Sequence, residues 1–180
     1  CQKALYYSKR LGVVAVAEPN GEIVETDVGR VIEAARAVSL PSGQEIIHVL
    51  PRSFKVDSQD GIKDPIGMTG VRLEAAAHLV TASTTALRNL SKCLAEIGIT
   101  IQRPVFAGLA SAEAVLTPTE KELGVVVVDI GGGTTSIAVW IDGALTHSSV
   151  LPIGARNITN DMAIGMRVSL DTAEKVKLFL

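Results

Sequence analysis

The pattern of hydrophobic and polar positions changes period several times along the chain, and these changes predict alternating strands and helices. Apolar residues at every second position, or in short unbroken runs, indicate strands, and apolar residues three or four positions apart indicate helices. The predicted strands are Val13–Ala17, Ile46–Val49 with a continuation through Val56, Val71–Val80, Val125–Val128, Ile137–Ile141 and Leu145–Leu151. The predicted helices are Val28–Val38, Leu87–Ile97, Ala107–Leu116, Gly154–Ile164 and a last one that a capping box starts at Asp171.

Turn residues refine this picture. Residues Cys1–Arg10 have no clear period and receive no assignment, and Asp57–Gly70 is predicted to be an ordered loop because it combines several glycines with anchoring apolar residues. Asp142-Gly143 is a strong two-residue hairpin signal. The last three predicted strands should therefore form an antiparallel meander.

The stretch Val125–Ser136, VVVVDIGGGTTS, carries the clearest chemistry. Four consecutive valines predict a strand that is buried on both faces of a sheet. Glycines after the strand allow positive φ and a close approach of other groups, and successive N–H groups in such a turn can bind an anion. A plain glycine-rich hairpin is the alternative, but the flanking residues favour a phosphate site in which Asp129 holds a divalent cation. Its candidate residues are Gly131, Gly132, Gly133, Thr134 and Thr135.

The composition excludes several classes of function. A chain of 180 residues with 47% hydrophobic residues can bury a sizeable core, and a net charge of −2 gives no general attraction to nucleic acid or to an anionic membrane. The only cysteines are Cys1 and Cys93, which fits a reducing cytosol and supports neither a disulfide framework nor zinc. No apolar stretch approaches the roughly 20 residues that a membrane-spanning helix needs.

Two other residues with reactive side chains have structural interpretations. His78 has no predicted base partner or fellow ligand nearby, so a structural role is favoured over a catalytic one. Cys93 lies beside the helical stripe formed by Leu87, Leu90, Leu94 and Ile97, which favours a small core residue over a nucleophile. The chain starts without methionine and stops inside a helical pattern, so we expect it to be a piece of a longer protein.

Three stretches together resemble the FtsA family of actin-like bacterial cell-division proteins. The glycine loop alone resembles the whole actin, chaperone and sugar-kinase superfamily. Residues Ile46–Ser83, IIHVLPRSFKVDSQDGIKDPIGMTGVRLEAAAHLVTAS, resemble the subdomain that FtsA carries in place of an actin subdomain. Residues Gly154–Lys175 are similar to the segment that follows the FtsA phosphate loop, with Asn157, Thr159 and Asp161 in the expected order.

The resemblance implies an α/β fold, namely an actin-like (ribonuclease H-like) ATPase lobe with an inserted α+β subdomain. Under this interpretation residues 1–12 are a remnant of the first lobe and residues 13–98 form the inserted, SHS2-like subdomain. Residues 99–123 complete the first lobe, and residues 124–180 begin the second lobe with its phosphate loop. The first phosphate loop and the adenine pocket of the family are expected outside this chain.

The same resemblance implies ATP and Mg²⁺ as cofactors. Asp129 would hold Mg²⁺ through water, and the glycines and threonines of the loop would hold the β and γ phosphates. Glu113 occupies the place of the water-positioning residue in actin relatives, although an ordinary solvated helix glutamate explains it equally well. Asp161 is either near the nucleotide or a charge favoured by the helix dipole. Ser136 replaces an aspartate that the superfamily often has.

The implied function is an ATP-binding adaptor that assembles at the division site on the inner face of the cytoplasmic membrane and tethers the FtsZ filament there. Its partners would be FtsZ, mainly through parts outside this chain, further copies of itself, and other division proteins through the inserted subdomain, with Lys63, Asp64 and Met68 as candidate contacts. The membrane would be reached through a C-terminal helix outside this chain. At most slow ATP hydrolysis is expected, and little activity of this piece alone. The alternatives are a pilus-assembly adaptor or a small-molecule kinase of the same superfamily.

Overall fold

The first half of the chain forms a four-stranded antiparallel sheet with one helix on it. The computed structural model describes residues 6–17 and 21–179, with side chains from Leu11 onward. The elements are β1 (Tyr6–Ala15), α1 (Glu25–Arg36), β2 (Gln44–Val56), β3 (Gln59–Ile62) and β4 (Arg72–Ser83), and the strand order is β1-β4-β2-β3. Strand β1 starts at Tyr6, earlier than the prediction, because pairing with β4 from Tyr6 opposite Thr81 stabilises a segment that has no alternation of its own. The predicted loop after β2 contains the short strand β3.

Helix α1 packs on the sheet at Gly12, where an added Cβ would lie 2.2 Å from the carbonyl oxygen of Val31. The absence of a side chain therefore lets the helix and β1 touch through their backbones. The core beneath α1 consists of the buried residues Val16, Ile23, Val31, Phe54, Val56, Leu73 and Ala75. This arrangement confirms a helix between the first and second predicted strands.

Asp27 fixes the start of α1 from a buried position, with only 1% of its surface exposed. Its carboxylate accepts hydrogen bonds of 3.2 Å from the backbone N–H groups of Val24 and Ala17, and it forms an ion pair with Arg30. The side-chain hydrogen bond from Arg30 holds the pKa of Asp27 below its usual value, against the opposing effect of burial. Thr26-Asp27 is a plausible N-cap by residue type, but α1 begins earlier, at Glu25, and Asp27 acts from its third helical position.

Helix α2 (Thr84–Ala95) contains no fully buried residue, and most of its residues are exposed. Its N-cap is Ser83, whose hydroxyl accepts from the N–H of Ala86 at 3.3 Å. In the predicted apolar stripe, Leu90 and Ile97 are 45% and 69% exposed, whereas Leu87 and Leu94 are partly buried. Cys93 is also exposed, so its interpretation as a core residue is wrong. No described element packs over this face.

The second half of the chain contains the predicted meander. Helices α3 (Ala107–Val115) and α4 (Pro118–Leu123) precede the strands β5 (Val125–Ile130), β6 (Thr135–Ile141) and β7 (Ala144–Leu151), which pair in the order β5-β6-β7. The hairpin signal is confirmed, because Asp142 and Gly143 both have positive φ angles, of 53° and 78°. Thr117 caps α4 in a reciprocal pairing with Glu120.

Strand β5 is buried on one face only, which corrects the prediction of two buried faces. Val127 is 8% exposed and packs with Ala112 of α3, whereas Val126 and Val128 are 55% and 52% exposed. Helix α3 covers one side of the three-stranded sheet, and no described element covers β5 on the other side. The unbroken run of valines reports strand propensity but not which faces are covered.

Two helices complete the chain, α5 (Ala155–Met166) and α6 (Leu170–Phe179). Helical periodicity predicts Ile158 and Met162 on the buried face of α5. The buried residues are Thr159 and Ala163 instead, Ile158 is 53% exposed, and Met162 is partly buried. Ser169 caps the start of α6 by accepting from the N–H of Thr172, so the predicted capping box of Asp171 with Glu174 does not form. Glu174 contacts Thr159 and Lys177 instead. Within residues 6–17 and 21–179, no helix combines the length and the apolar character needed to cross a bilayer.

Candidate functional site

The glycine loop between β5 and β6 is a tight turn with one open side. The N–H of Gly131 donates to the carbonyl of Thr134 at 2.8 Å, and a Cβ on Gly131 would lie 3.2 Å from that oxygen. A Cβ on Gly132 would meet nothing within 4 Å. A side chain on Gly131 would therefore crowd the turn, and Gly132 faces space that another group can enter.

The start of α5 holds the other side of the loop. The N–H groups of Ala155 and Arg156 donate to the carbonyls of Gly131 and Gly132 at 2.9 and 2.8 Å. Gly154 lies so close that a Cβ there would be 2.5 Å from the oxygen of Gly131 and 2.7 Å from the nitrogen of Thr134. The first N–H groups of the helix are thus satisfied by the loop, and the loop and α5 form one unit.

The two threonines of the loop differ in their surroundings. The hydroxyl of Thr135 donates to the carbonyl of Ile153 at 2.8 Å, which ties β6 to the segment before α5. Thr134 lies within the turn and supplies the carbonyl that accepts from Gly131. The sequence treats the two hydroxyls alike, whereas the structure assigns a bracing contact to Thr135.

Asp129 lies near the end of β5, next to the loop, as the sequence predicts. Its Oδ2 accepts a hydrogen bond of 2.9 Å from the hydroxyl of Ser111 on α3, and its side chain is half-buried. Ser136 is directly opposite Asp129 on β6 and is 7% exposed. A second carboxylate at this buried position would face Asp129 across the strand pair, where like charges repel. Serine avoids this repulsion.

Glu113 lies outside this group of residues. It is on the exposed side of α3, where its carboxylate accepts from Lys121 of α4 at 2.7 Å and its side chain is 80% exposed. The ammonium of Lys121 also lies 5.0 Å from the centre of the Trp140 ring. Glu113 thus links α3 to α4, and Ser111 is the α3 residue that contacts Asp129.

A groove between α5 and α6 extends from the glycine loop. Its volume is about 410 Å³, and its lining residues are Gly132, Ala155, Arg156, Thr159, Asn160, Leu170, Asp171, Glu174 and Lys177. Sequence reasoning missed this groove because it placed apolar residues on the inner face of α5. The available signal was the series of polar residues at helical spacing on both helices, such as Arg156 and Thr159 on α5 and Asp171 and Glu174 on α6.

Three polar side chains form a network in the groove. The ammonium of Lys177 donates to Thr159 at 2.8 Å and to the carboxylate of Glu174 at 2.7 Å, and the hydroxyl of Thr159 also donates to Glu174. These hydrogen bonds, first that from Lys177 and then that from Thr159, lower the pKa of Glu174. The network fixes α6 against α5 and keeps polar atoms at the groove wall.

The donor set suits a metal that is shared with a ligand more than a metal held by protein alone. Among residues 6–17 and 21–179, no three side chains of histidine, cysteine, aspartate or glutamate are grouped as a metal site. Asp129 is therefore a single carboxylate beside the loop. Mg²⁺ commonly binds through one or two carboxylates, several waters and the phosphates of a substrate. The residues present fit that mode.

The other singled-out residues have structural surroundings. His78 is 1% exposed, and its Nε2 lies 2.9 Å from the hydroxyl of Ser148 on β7. Burial, with smaller effects from Arg52 and His147, lowers the pKa of His78 to about 4. Asp161 is exposed on α5 outside the lining of the groove.

In the loop after β3, the candidate contact residues differ in exposure. Lys63 forms an ion pair with Glu122 of α4, and Asp64 accepts from the N–H of Ile66 at 3.1 Å. Met68 packs against the core under α1, so it contributes less surface than expected. Ile66, which lies between Asp64 and Met68 in the sequence, is 51% exposed.

Comparison with known proteins agrees with this architecture. A family model described as the SHS2 domain inserted in FtsA matches residues 5–81, and the model of the cell division protein FtsA matches residues 126–179. The cell division protein FtsA of Pseudomonas aeruginosa is 43% identical over 93% of this chain, and that of Bacillus subtilis is 49% identical over 92%. The chain spans 40% and 38% of the lengths of these two relatives.

A solved structure titled as the PilM-PilN type IV pilus biogenesis complex also aligns with this chain. The alignment has a TM-score of 0.60 and 21% sequence identity. It includes 97% of the residues of this chain and 47% of the residues of the pilus protein chain. At this identity the likeness shows the fold alone. The inserted domain and the glycine-loop segment each match an FtsA model, and the relatives match nearly the whole chain, so this chain belongs to the FtsA family of cell division proteins and has the actin-like α/β fold with an inserted SHS2 domain.

Proposed function

We propose that this chain supplies one half of an ATP site, and that the full-length protein uses ATP to control its assembly as a scaffold for the FtsZ filament at the membrane. The observation that carries the proposal is the glycine loop, which opens at Gly132 onto the groove between α5 and α6 and has Asp129 beside it. A phosphate group fits a backbone turn of this kind, and a nucleoside fits a groove that begins there.

Each part of the site has a distinct task in this proposal. The backbone N–H groups of Gly132 and Gly133 and the hydroxyl of Thr134 bind the β and γ phosphates. Gly131 closes the turn with its own N–H, and Thr135 braces the loop through Ile153. Asp129 binds the hydrated Mg²⁺, and Ser111 orients its carboxylate. When bound, Mg²⁺ neutralises phosphate charge, which is the main requirement of phosphoryl transfer. Thr159, Glu174 and Lys177 supply polar contacts along the groove.

Hydrolysis is not needed for this function. An adaptor that assembles in its ATP-bound form needs only a difference in ATP affinity between its assembled and free states. Slow hydrolysis would then only return the assembled protein to its free state. Glu113, which the family resemblance suggests as a candidate water-positioning residue beside an equally favoured solvated role, pairs with Lys121 on the far side of α3. Slow hydrolysis at most is therefore proposed for the full-length protein.

The tethering role rests on family membership and concerns parts beyond this chain. The chain spans about two fifths of the length of its relatives, which are named as cell division proteins. We propose that FtsZ and the membrane are contacted by the remaining parts, at the division site on the inner face of the cytoplasmic membrane. The inserted domain is proposed to contact other division proteins or further copies through the loop around Lys63 and Ile66.

A small-molecule kinase is the competing function, and the described residues support it less. A kinase needs a base that activates the acceptor hydroxyl. The carboxylates that line the groove are Asp171 and Glu174, and Glu174 is already bonded to Lys177 and Thr159. Release of the full-length protein from anionic vesicles after removal of a C-terminal amphipathic helix would favour the adaptor.

The test of nucleotide binding is Asp129→Ala in the full-length protein. We expect the affinity for ATP in the presence of Mg²⁺ to fall at least tenfold, measured by titration calorimetry, because the metal loses its one carboxylate. Asp60→Ala is the matched control, since Asp60 is an exposed aspartate on β3 with a long ion pair of 3.6 Å to Lys55. Equal affinity of Asp129→Ala and the unmodified protein would remove the proposed site.

A further inference from the structure

We infer that Arg156 binds the phosphate chain of the nucleotide and makes the site favour nucleoside di- and triphosphates over nucleosides. This inference rests on the proposed nucleotide function and adds a specificity-determining residue to it. Two observations support it. Arg156 is an exposed residue that lines the groove, and its backbone N–H is hydrogen-bonded to Gly132 of the glycine loop.

The backbone places Arg156 at the loop end of the groove. Its N–H donates to the carbonyl of Gly132 at 2.8 Å, and the side of Gly132 where a Cβ would lie is open. A phosphate that uses this open side is within reach of a long side chain that starts one hydrogen bond away. The position of Arg156 is thus fixed by the same contact that fixes the loop.

The positive charges of the groove lie at its loop end, and Asp171 lies toward its other end. Arg156 and Lys177 lie at the loop end, where the ammonium of Lys177 is 3.5 Å from the carbonyl of Ala155. Asp171 lies six residues before Lys177 on α6, which is about 9 Å along the helix. A ligand with an anionic end and a hydroxyl-bearing end is therefore oriented with its anionic end toward the loop.

The two cations at the loop end are not equivalent. Lys177 is bonded to Glu174 and Thr159, and its side chain is 19% exposed. Among the ion pairs of the described residues none includes Arg156, although its charge is near enough to Glu174 to lower the pKa of that carboxyl. The charge of Lys177 is thus balanced by Glu174, whereas the guanidinium of Arg156 is available to pair with an anionic ligand. Arginine suits this role because its planar fork matches two phosphate oxygens.

The experiment compares Arg156→Gln with Arg167→Gln in the full-length protein by titration calorimetry with ATP, ADP and adenosine in Mg²⁺. Arg167 lies at the other end of α5, is exposed, and does not line the groove, so it controls for the loss of one charge. Hydrogen bonds to charged groups contribute about 1.5–3 kcal/mol, which is roughly a tenfold to hundredfold change in affinity. We expect Arg156→Gln to lose that much for ATP and ADP and nothing for adenosine, and Arg156→Lys to lose less.

The opposite results separate this inference from the proposed function. Unchanged ATP affinity in Arg156→Gln, with ATP binding that still depends on Asp129, would overturn the role of Arg156 alone. An equal loss for ATP and adenosine would also overturn it, because it would indicate stacking of the guanidinium on the base. An unmodified full-length protein without measurable ATP affinity would overturn both proposals. Equal thermal unfolding temperatures of the variants show that folding is unaffected.

Discussion

The hydroxyl of Ser111 donates a hydrogen bond of 2.9 Å to Oδ2 of Asp129, and this contact joins helix α3 to the end of strand β5. Glu113 is two residues further along the same helix, which is about 200° around its axis. The two residues therefore face in nearly opposite directions. Of these two residues, Ser111 contacts the carboxylate beside the glycine loop, and Glu113 is held by Lys121 on the outside.

This geometry predicts different effects of two substitutions on α3. Ser111→Ala removes the donor that orients Asp129, and we expect the affinity of the full-length protein for ATP with Mg²⁺ to fall about threefold to tenfold. Glu113→Gln should change neither the affinity nor the rate of ATP hydrolysis, measured by release of phosphate. A tenfold or greater loss of hydrolysis in Glu113→Gln would instead establish it as the water-positioning residue.

Substitution of the buried Asp27 is expected to destabilise the inserted domain. Asp27→Ala leaves two backbone N–H groups without an acceptor and removes the partner of Arg30, so we expect a loss of about 2–4 kcal/mol in the free energy of unfolding. Glu33→Ala is the control, since Glu33 is an exposed member of the same helix with a long contact of 3.6 Å to Arg36. The measurement is urea unfolding at pH 7. A loss no larger than that of the control would show that the Asp27 contacts contribute little.

The pH dependence of the Asp27 contribution follows from its lowered pKa. The folded state holds the carboxylate ionised, so its contribution is fully present above the unfolded pKa of about 3.9 and is lost as the pH falls through the lower folded value. The difference in stability between Asp27→Ala and the unmodified protein should therefore shrink below about pH 4. A difference that stays constant down to pH 2 would contradict the ionic component.

The buried His78 should make the free energy of unfolding depend on pH in a second, higher pH range. Burial keeps the ring neutral in the folded state with a pKa of about 4, whereas the unfolded ring has a pKa near 6.5. The stabilising contribution is present above about pH 6.5, and it is lost as the pH falls toward 4, by about 2–3 kcal/mol. Unfolding of His78→Gln should show a flatter pH profile between 6.5 and 4 than the unmodified protein. Parallel profiles would show that another group is responsible.

Gly154 provides a test of the contact between α5 and the glycine loop. Gly154→Val introduces atoms where a Cβ already lies 2.5 Å from the carbonyl oxygen of Gly131, so either the loop or the helix must move. We expect a loss of stability of about 1–3 kcal/mol and weaker ATP binding by the full-length protein. Gly29→Ala in α1, where nothing lies within 4 Å, should be neutral or slightly stabilising. Equal stability of both variants would contradict a rigid loop.

Much of the secondary structure could be predicted because it depends on local signals. The meander after Val125 follows from strand propensity and from Asp142-Gly143, whose positive φ angles need residues of that type. The cap at Thr117 follows from the serine-or-threonine pattern with Glu120 three residues later. The glycine loop with Asp129 beside it could be predicted for the same reason, since its residues are neighbours in the sequence.

The errors concern which faces are covered, and that information is not local. The valines of β5 and the leucines of α2 have the pattern of buried elements, yet Val126 and Leu90 are half exposed among the described residues. A pattern shows which residues prefer burial, but the element that covers them is chosen by the tertiary fold. Strand β1 was missed at its start for the related reason that its pairing with β4 is distant in sequence.

The groove and the contact of Ser111 with Asp129 could not be predicted because they join separate elements. Lys177 and Thr159 are 18 positions apart, and Ser111 and Asp129 are also 18 apart. No local periodicity encodes such pairs. The sequence suggested Glu113 by its place before the loop, and only the direction of its side chain distinguishes it from Ser111.

The backbone hydrogen bonds from Ala155 and Arg156 to the glycine loop also bear on the speed of nucleotide exchange. A flexible loop would have to lose about 1–2 kcal/mol of conformational entropy for each residue that a phosphate orders. Here part of that ordering takes place when the protein folds, since α5 and Gly154 brace the loop through direct contacts. In the proposed nucleotide site, capture of the phosphates by this loop should therefore proceed without a loop-closing step.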